Sequence, residues 1–213
     1  MTGHLTLGSL FDGIGGFPLA GTMCGIVPVW ASEIEAYPLR VTAARFPEMK
    51  QLGSVTDIDG GKVEPVDIIT FGSPCQDLSV AGKQLGIHDG QRSNLFFEAI
   101  RIIKEMRQAD EKRGRTGKSI RPRFAVWENV PGAFSSNKGE DFKAVLEAFA
   151  SVRENDVDVP RPKKWDTGGG YRGTRLEPCL EGLRRSILGS APASQENLPY
   201  RRFCRRTRRR NII

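Results

Sequence analysis

Cysteine and histidine are scarce in this 213-residue chain. It has four Cys (Cys24, Cys75, Cys179, Cys204), none in a C-x-x-C pair, and two His. That scarcity argues against a zinc site and against a disulfide framework. Long apolar runs are missing too: none approaches the ~20 residues of a membrane helix, and no charged-then-apolar leader opens the chain. The expectation is a soluble, cytoplasmic protein without metal or membrane attachment. Lysine is absent from residues 171–213, which hold eleven Arg and three Glu, a net +8. The whole chain carries +7, which leaves residues 1–170 at −1. A basic chain usually suggests a nucleic-acid binder. Here the basic signal lies wholly in the tail, so a case for DNA has to rest on chemistry.

What is present is an alternation of strand and helix patterns, in a length suited to one α/β domain. LTLGSLF reads as a strand running into the glycine cluster DGIGGF, with a helix from about Pro18 to Met23. IVPVWASE is a second strand ending on an acid, and Ala36 to Phe46 is a helix with Leu39, Ala43 and Phe46 on one face. VDIITFGSP is the clearest buried strand, stopped by Gly72, Ser73 and Pro74. Residues 94–107, NLFFEAIRIIKEMR, carry the strongest amphipathic signal. RFAVWENVPG is a further strand and DFKAVLEAFASV a further helix, with an exposed basic loop between Gln108 and Arg123. Such alternation predicts a mostly parallel sheet with helices on both faces. Beyond Trp165 neither period persists.

Three places on this framework carry chemistry. Phe11-Asp12-Gly13-Ile14-Gly15-Gly16 follows the first strand, where glycines let a ligand approach the backbone and a helix N-terminus offers N–H groups. Alone, such a turn serves a dinucleotide, S-adenosylmethionine or mere chain reversal equally well. Glu33 ends the second strand about 20 residues later, where doubly wound folds place an acid on ribose hydroxyls. Singly it is an ordinary surface Glu. As a pair, loop and acid favour an adenosine-containing cofactor without separating NAD from S-adenosylmethionine. Gly72-Ser73-Pro74-Cys75-Gln76 opens a loop at the end of the most buried strand. A free Cys is most often a buried filler, but a cysteine in such a turn can lie near N–H dipoles that favour the thiolate, so Cys75 reads as a nucleophile. Glu128 and Asn129 end the RFAVW strand on the same edge. A carboxyl against a low-dielectric pocket floor keeps its proton and can donate to a ring nitrogen; a Glu in a solvated turn does neither.

Together these residues resemble the DNA cytosine-5 methyltransferase family. Its motifs appear in order: the FxGxGG cofactor loop as Phe11 to Gly16, the acid as Glu33, the PCQ loop as Pro74 to Gln76, and ENV as Glu128 to Val130. The helix opening SNLFFEAIRII resembles the family segment whose leucine, here Leu95, lies by the cofactor. The resemblance covers residues 5 to about 165. It implies an α/β, Rossmann-like S-adenosylmethionine-dependent methyltransferase fold, incomplete at the C-terminus. It further implies S-adenosylmethionine as cofactor, duplex DNA as partner, a monomeric state, and a role in restriction-modification or phage self-protection. In the implied mechanism the target cytosine is flipped out of the duplex. Cys75 adds to its carbon 6, Glu128 protonates or hydrogen-bonds ring nitrogen 3, and Asn129 holds the Pro74 turn.

The sequence departs from the family at two places. Where the family has an Asp that meets the adenine amine, this chain has Ser54, with Asp57 near enough to compensate. The Q-R-x-R motif and the target-recognition segment are also missing. Leu188 to Leu198 can, however, be encoded so that the frame one nucleotide later reads WGVPQRRKRIY, which resembles the missing motif. The expectation is a catalytic half over 1–170 and an Arg-rich tail over 171–213 that is disordered and results from a frameshift near Gly173. On that expectation the chain as written does not methylate DNA. The rival readings are a catalytically dead remnant of the same family and a non-enzymatic basic nucleic-acid binder using the Arg tail on phosphates.

Overall fold

In a computed structural model of the chain, the described residues are 3–73, 95–129, 131–153, 157–160, 162, 165, 168–170 and 179–181. Pro74, Cys75 and Gln76, with the rest of their loop, lie outside them, as do Val130 and almost all of the Arg-rich tail. The chain divides into Met1–Leu180 and Glu181–Ile213, and every described site residue belongs to the first unit.

Five parallel strands form one sheet: β1 (Thr6–Leu10), β2 (Val27–Ser32), β3 (Lys50–Gln51), β4 (Ile68–Phe71) and β5 (Phe124–Trp127). Their order is β3-β2-β1-β4-β5, so β1 and β4 are enclosed by neighbours. Parallel neighbours need long crossovers. Helices α1 (Gly16–Met23), α2 (Ala36–Arg45), α3 (Leu95–Lys112) and α4 (Glu140–Ala150) lie between and after the strands. The expected mostly parallel α/β architecture is therefore what forms. All four residues of β4 are buried, as an unbroken apolar run predicts for an inner parallel strand. Across β1, a Cβ on Gly8 would lie 2.2 Å from the Trp30 indole, so only glycine lets the buried Trp30 of β2 lie there. Beyond this sheet, Gly168–Gly170 and Cys179–Glu181 form a short two-stranded sheet.

The register fixes where the strands end. Leu10 aligns with Ser32 on one side and with Phe71 on the other, and Phe71 aligns with Trp127. Four carboxyl ends are therefore level, and the segments that follow them emerge along one edge.

Three expectations need correction. The amphipathic helix continues past Arg107 to Lys112, and only residues 111–119 of the expected exposed loop are exposed. Asp110 is fully buried and meets the Arg121 guanidinium at 3.0 Å, while Arg107 donates to the carbonyls of Ile120 and Pro122 at 3.2 and 2.6 Å. A charged segment buried through ion pairs carries no apolar period, so the pattern misses it. On α2, Thr42 is the buried residue and Ala43 is exposed, because Thr42 packs beneath the glycine loop and accepts a hydrogen bond from Gln51. Finally, Cys24 is disulfide-bonded. Its nearest neighbouring cysteine in sequence is Cys75, and a bridge between such distant positions leaves no spacing signature.

Candidate active site

The glycine loop is built by left-handed backbone. Phe11, Gly13 and Gly15 have φ of 53°, 56° and 86°, which turns the chain sharply between β1 and α1. For a bulky residue such as Phe11 this conformation costs on the order of 1–2 kcal/mol. Its side chain is half-buried and packs against the core. At Gly15 a Cβ would approach the Phe46 ring to 3.0 Å and the Thr42 methyl to 3.2 Å. At Gly13 and Gly16 a Cβ would meet nothing within 4 Å, so these two glycines border open space at the start of α1.

Glu33 closes the loop from the end of β2. Its Oε2 accepts from the Gly13 N–H at 2.8 Å, and its Oε1 accepts from the N–H groups of Ile34 and Glu35 at 2.7 and 3.0 Å. The carboxylate thus organises both segments at this edge. Behind it, Asp12 is buried, its N–H donates to the Ser32 carbonyl, and its Oδ1 accepts from Ser9 Oγ at 2.6 Å. Oδ2 of Asp12 is buried without a hydrogen-bond partner among the described residues. Desolvation outweighs the Ser9 hydrogen bond and raises the Asp12 carboxyl to a pKa of about 6, with a further push from the Glu33 charge.

Ser54 follows β3 and caps the single helical turn Val55–Asp57, accepting from the Thr56 N–H at 3.3 Å. Ser32 Oγ donates to the Gly53 carbonyl at 2.6 Å, which ties this turn to the end of β2. Leu95, the first residue of α3, is half-buried against the core. The next residue, Phe96, meets the rings of Phe71 and Trp127 at 6.0 and 5.6 Å, so the first turn of α3 is seated on the ends of β4 and β5.

Glu128 is placed by β5, its N–H donating to the Phe71 carbonyl at 2.9 Å. A Cβ on Gly72 would lie 2.9 Å from Glu128 Oε2, so glycine lets the carboxyl rest against the segment leading to Pro74. The side chain is exposed. The low-dielectric floor expected around it is therefore not found; among the described residues, Glu128 faces solvent at the end of an edge strand. Asn129 is half-buried beside it. Trp127 Nε1 donates to the buried Ser73 Oγ at 3.3 Å, joining the two strand ends.

The structure thus gathers Phe11 to Gly16, Glu33, Ser54, Leu95, Glu128 and Asn129 along the carboxyl edge of one sheet. Pro74 and Cys75 of the candidate set fall outside the described residues. Sequence reasoning overlooked Ser9, Ser32 and Ser73, whose hydroxyls fix the loops; a serine in a strand pattern gives no hint of its partner.

The donor set suits S-adenosylmethionine. Ribose hydroxyls donate to a carboxylate such as that of Glu33, and the open space at Gly13 and Gly16 leaves the N-terminal N–H groups of α1 approachable. Among the described residues no metal-ligating cluster occurs, and no helix is long and apolar enough to cross a membrane.

Residues 5–153 match the family of C-5 cytosine-specific DNA methylases. A protein of Escherichia phage P1 named DNA N-6-adenine-methyltransferase is 35% identical over 198 residues, covering 86% of this chain and 25% of that protein. The orphan methyltransferase M.SPRI of Bacillus phage SPR is 35% identical over 154 residues, covering 70% of this chain and 32% of its own length. The chain therefore spans about a quarter to a third of these relatives. A crystal structure from E. coli of a prophage-encoded protein described as a DNA modification methyltransferase aligns with a TM-score of 0.50 at 22% identity. It covers 69% of this chain and 38% of that one, a likeness of fold.

Proposed function

The chain belongs to the C-5 cytosine-specific DNA methylase family, and we propose that it transfers a methyl group from S-adenosylmethionine to carbon 5 of cytosine in duplex DNA, as in restriction-modification or phage self-protection. The observation that carries this reading is the level register of β2, β1, β4 and β5. It delivers the glycine loop with Glu33, the segment entering Pro74-Cys75-Gln76, and Glu128 to one edge.

The chemistry assigned to these residues follows from the substrate. Cytosine inside a duplex is out of reach and must be extruded before its ring can react. The thiolate of Cys75 adds to carbon 6, forming a carbon–sulfur bond and pushing electron density through the ring. Glu128, exposed at the strand end, donates to ring nitrogen 3 and stabilises that density, which leaves carbon 5 enamine-like and nucleophilic. S-adenosylmethionine supplies an electrophilic sulfonium methyl when bound. Asn129 holds the Pro74 turn. Loss of the carbon-5 proton then expels the thiolate and restores the aromatic ring.

The phage P1 relative is named for adenine, but this chain covers only a quarter of that protein, while the cytosine-specific family match spans residues 5–153. The two targets are separated by nucleoside analysis of DNA methylated by the chain: 5-methylcytosine supports the reading and N6-methyladenine overturns it. A second test mixes the chain, S-adenosylmethionine and a duplex containing 5-fluorocytosine. A covalent adduct on a denaturing gel is expected, lost in Cys75→Ser; an adduct that survives this change rules out Cys75 as nucleophile.

Segments 1–170 and 171–213 remain the working division into a catalytic half and an Arg-rich tail read out of frame. The phage P1 match covers 86% of 213 residues, about 183, and so extends past Gly173. That favours a change of frame closer to Leu188. Sequencing codons 165–213 tests it, and the lack of an open shifted frame overturns it.

A further inference from the structure

The family places an Asp where this chain has Ser54, and a hydroxyl differs from a carboxylate in that it can both donate and accept. The structure removes that ambiguity. Thr56 Oγ1 donates to Asp57 Oδ1 at 3.3 Å, which uses its single proton. Ser54 Oγ and Thr56 Oγ1 lie 2.7 Å apart, so Ser54 must be the donor of that pair. One lone pair of Ser54 Oγ accepts the Thr56 N–H. What remains at Ser54 is one outward lone pair, an acceptor with no proton to offer.

The turn that carries this acceptor is held from α3. Arg101 donates to the carbonyls of Ile58 and Val55 at 2.9 and 3.3 Å, spanning both ends of the turn. Glu98 and Glu105 hold the guanidinium at 2.7 and 2.9 Å, and Glu105 Oε2 also accepts from the Gly60 N–H at 2.8 Å. Gly60 lies so close to α3 that a Cβ there would sit 2.4 Å from the Ile102 carbonyl oxygen. Ser32 anchors Gly53 from the other side, next to Glu33. A Cβ on Gly53 would meet nothing within 4 Å, so the turn faces open space.

We propose that Ser54, its proton committed through Thr56 to Asp57 and its turn braced by Arg101, is the acceptor that selects a 6-amino purine in the cofactor. This rests on the S-adenosylmethionine reading above. An adenine presents an amine that donates to Ser54, whereas a 6-oxo purine presents an oxygen, and two acceptors then face each other. Arg101 is a positioning residue: it touches no ligand and acts through the turn.

The test is calorimetric titration of the full chain with S-adenosylhomocysteine and with S-inosylhomocysteine, which differ at that one substituent. The parent chain should favour the amino ligand by about tenfold, the worth of one hydrogen bond. Thr56→Val frees the Ser54 proton to donate to the oxo group, so the preference should fall to about twofold or less. Ser54→Asp, an acceptor without a relay, should keep it. Arg101→Met should reduce the preference, with melting temperature followed to verify folding. Equal binding of both ligands by the parent, or a full preference retained in Thr56→Val, overturns the proposal. Binding of neither ligand by the parent overturns the cofactor reading and this inference with it.

Discussion

Gly13 donates its backbone N–H to Glu33 at 2.8 Å, so the acid that ends β2 also fixes the loop that ends β1. The two residues are 20 positions apart in sequence and become neighbours because Leu10 and Ser32 share a register. Three N–H groups converge on one carboxylate, an arrangement that suits an ionised acceptor. The cofactor segment is thereby organised before any ligand arrives.

Glu33→Gln should weaken S-adenosylhomocysteine binding. The amide keeps one acceptor oxygen and replaces the other by a donor, which faces either the Gly13 N–H or those of Ile34 and Glu35. Hydrogen bonds to charged groups contribute about 1.5–3 kcal/mol, so the dissociation constant should rise about 10- to 100-fold. Calorimetry measures it, and an unchanged constant removes Glu33 from the cofactor site.

Gly15→Ala and Gly16→Ala should behave differently although they are adjacent. At Gly15 the left-handed backbone and the Phe46 ring oppose a methyl group, and a loss of about 1–2 kcal/mol in stability is expected. At Gly16 the methyl enters open space, so stability should hold while cofactor affinity falls. Urea unfolding paired with ligand titration resolves the two, and similar behaviour of both variants contradicts the assignment.

Asp12 makes stability depend on pH in a defined direction. Its folded pKa of about 6 lies above the ordinary carboxyl value of 3.8, so the folded state holds the proton more tightly than the unfolded chain does. Its contribution is therefore fully present below about pH 4 and is lost as pH rises through about 6. Asp12→Asn should flatten that loss, up to about 3 kcal/mol between the two variants' pH profiles. Parallel profiles from denaturant unfolding between pH 4 and 7 count against a buried, protonated Asp12.

Asp110→Asn should destabilise the fold without touching the site. Burial pushes this carboxyl up, but the side-chain and backbone hydrogen bonds of Arg121, with the Arg115 charge, hold it below its ordinary value. Its contribution is present above the unfolded pKa and lost as pH falls through the folded one. Breaking such a pair costs about 3 kcal/mol. Thermal unfolding near pH 7 should record a lower midpoint with S-adenosylhomocysteine affinity of the remaining folded protein intact.

Glu128→Gln retains a hydrogen-bond donor but cannot deliver a proton. Methyl transfer to duplex DNA should slow by about 10²-fold or more. Tritiated-methyl incorporation measures this, and an equal rate excludes proton donation by Glu128.

The sequence alone determined the order of elements and the identity of the chemically capable segments. Apolar runs of strand length stopped by glycine, and an amphipathic repeat over residues 94–107, are local patterns, and local patterns survive in one dimension. The level edge follows from such runs too, because parallel strands packed side by side end together. Only the tertiary structure decided which polar groups are enclosed. Asp12 and Asp110 read alike as acids in polar surroundings, yet one is desolvated above its usual range and the other is held below it by Arg121. Glu128 read as a sheltered acid and stands exposed, because β5 is an edge strand in the described sheet. Desolvation and hydrogen-bond direction depend on neighbours brought together from distant positions. Ser54 follows the same rule: its serine is plain in the sequence, but its role as an acceptor arises only where Thr56, Asp57 and Arg101 meet around one turn.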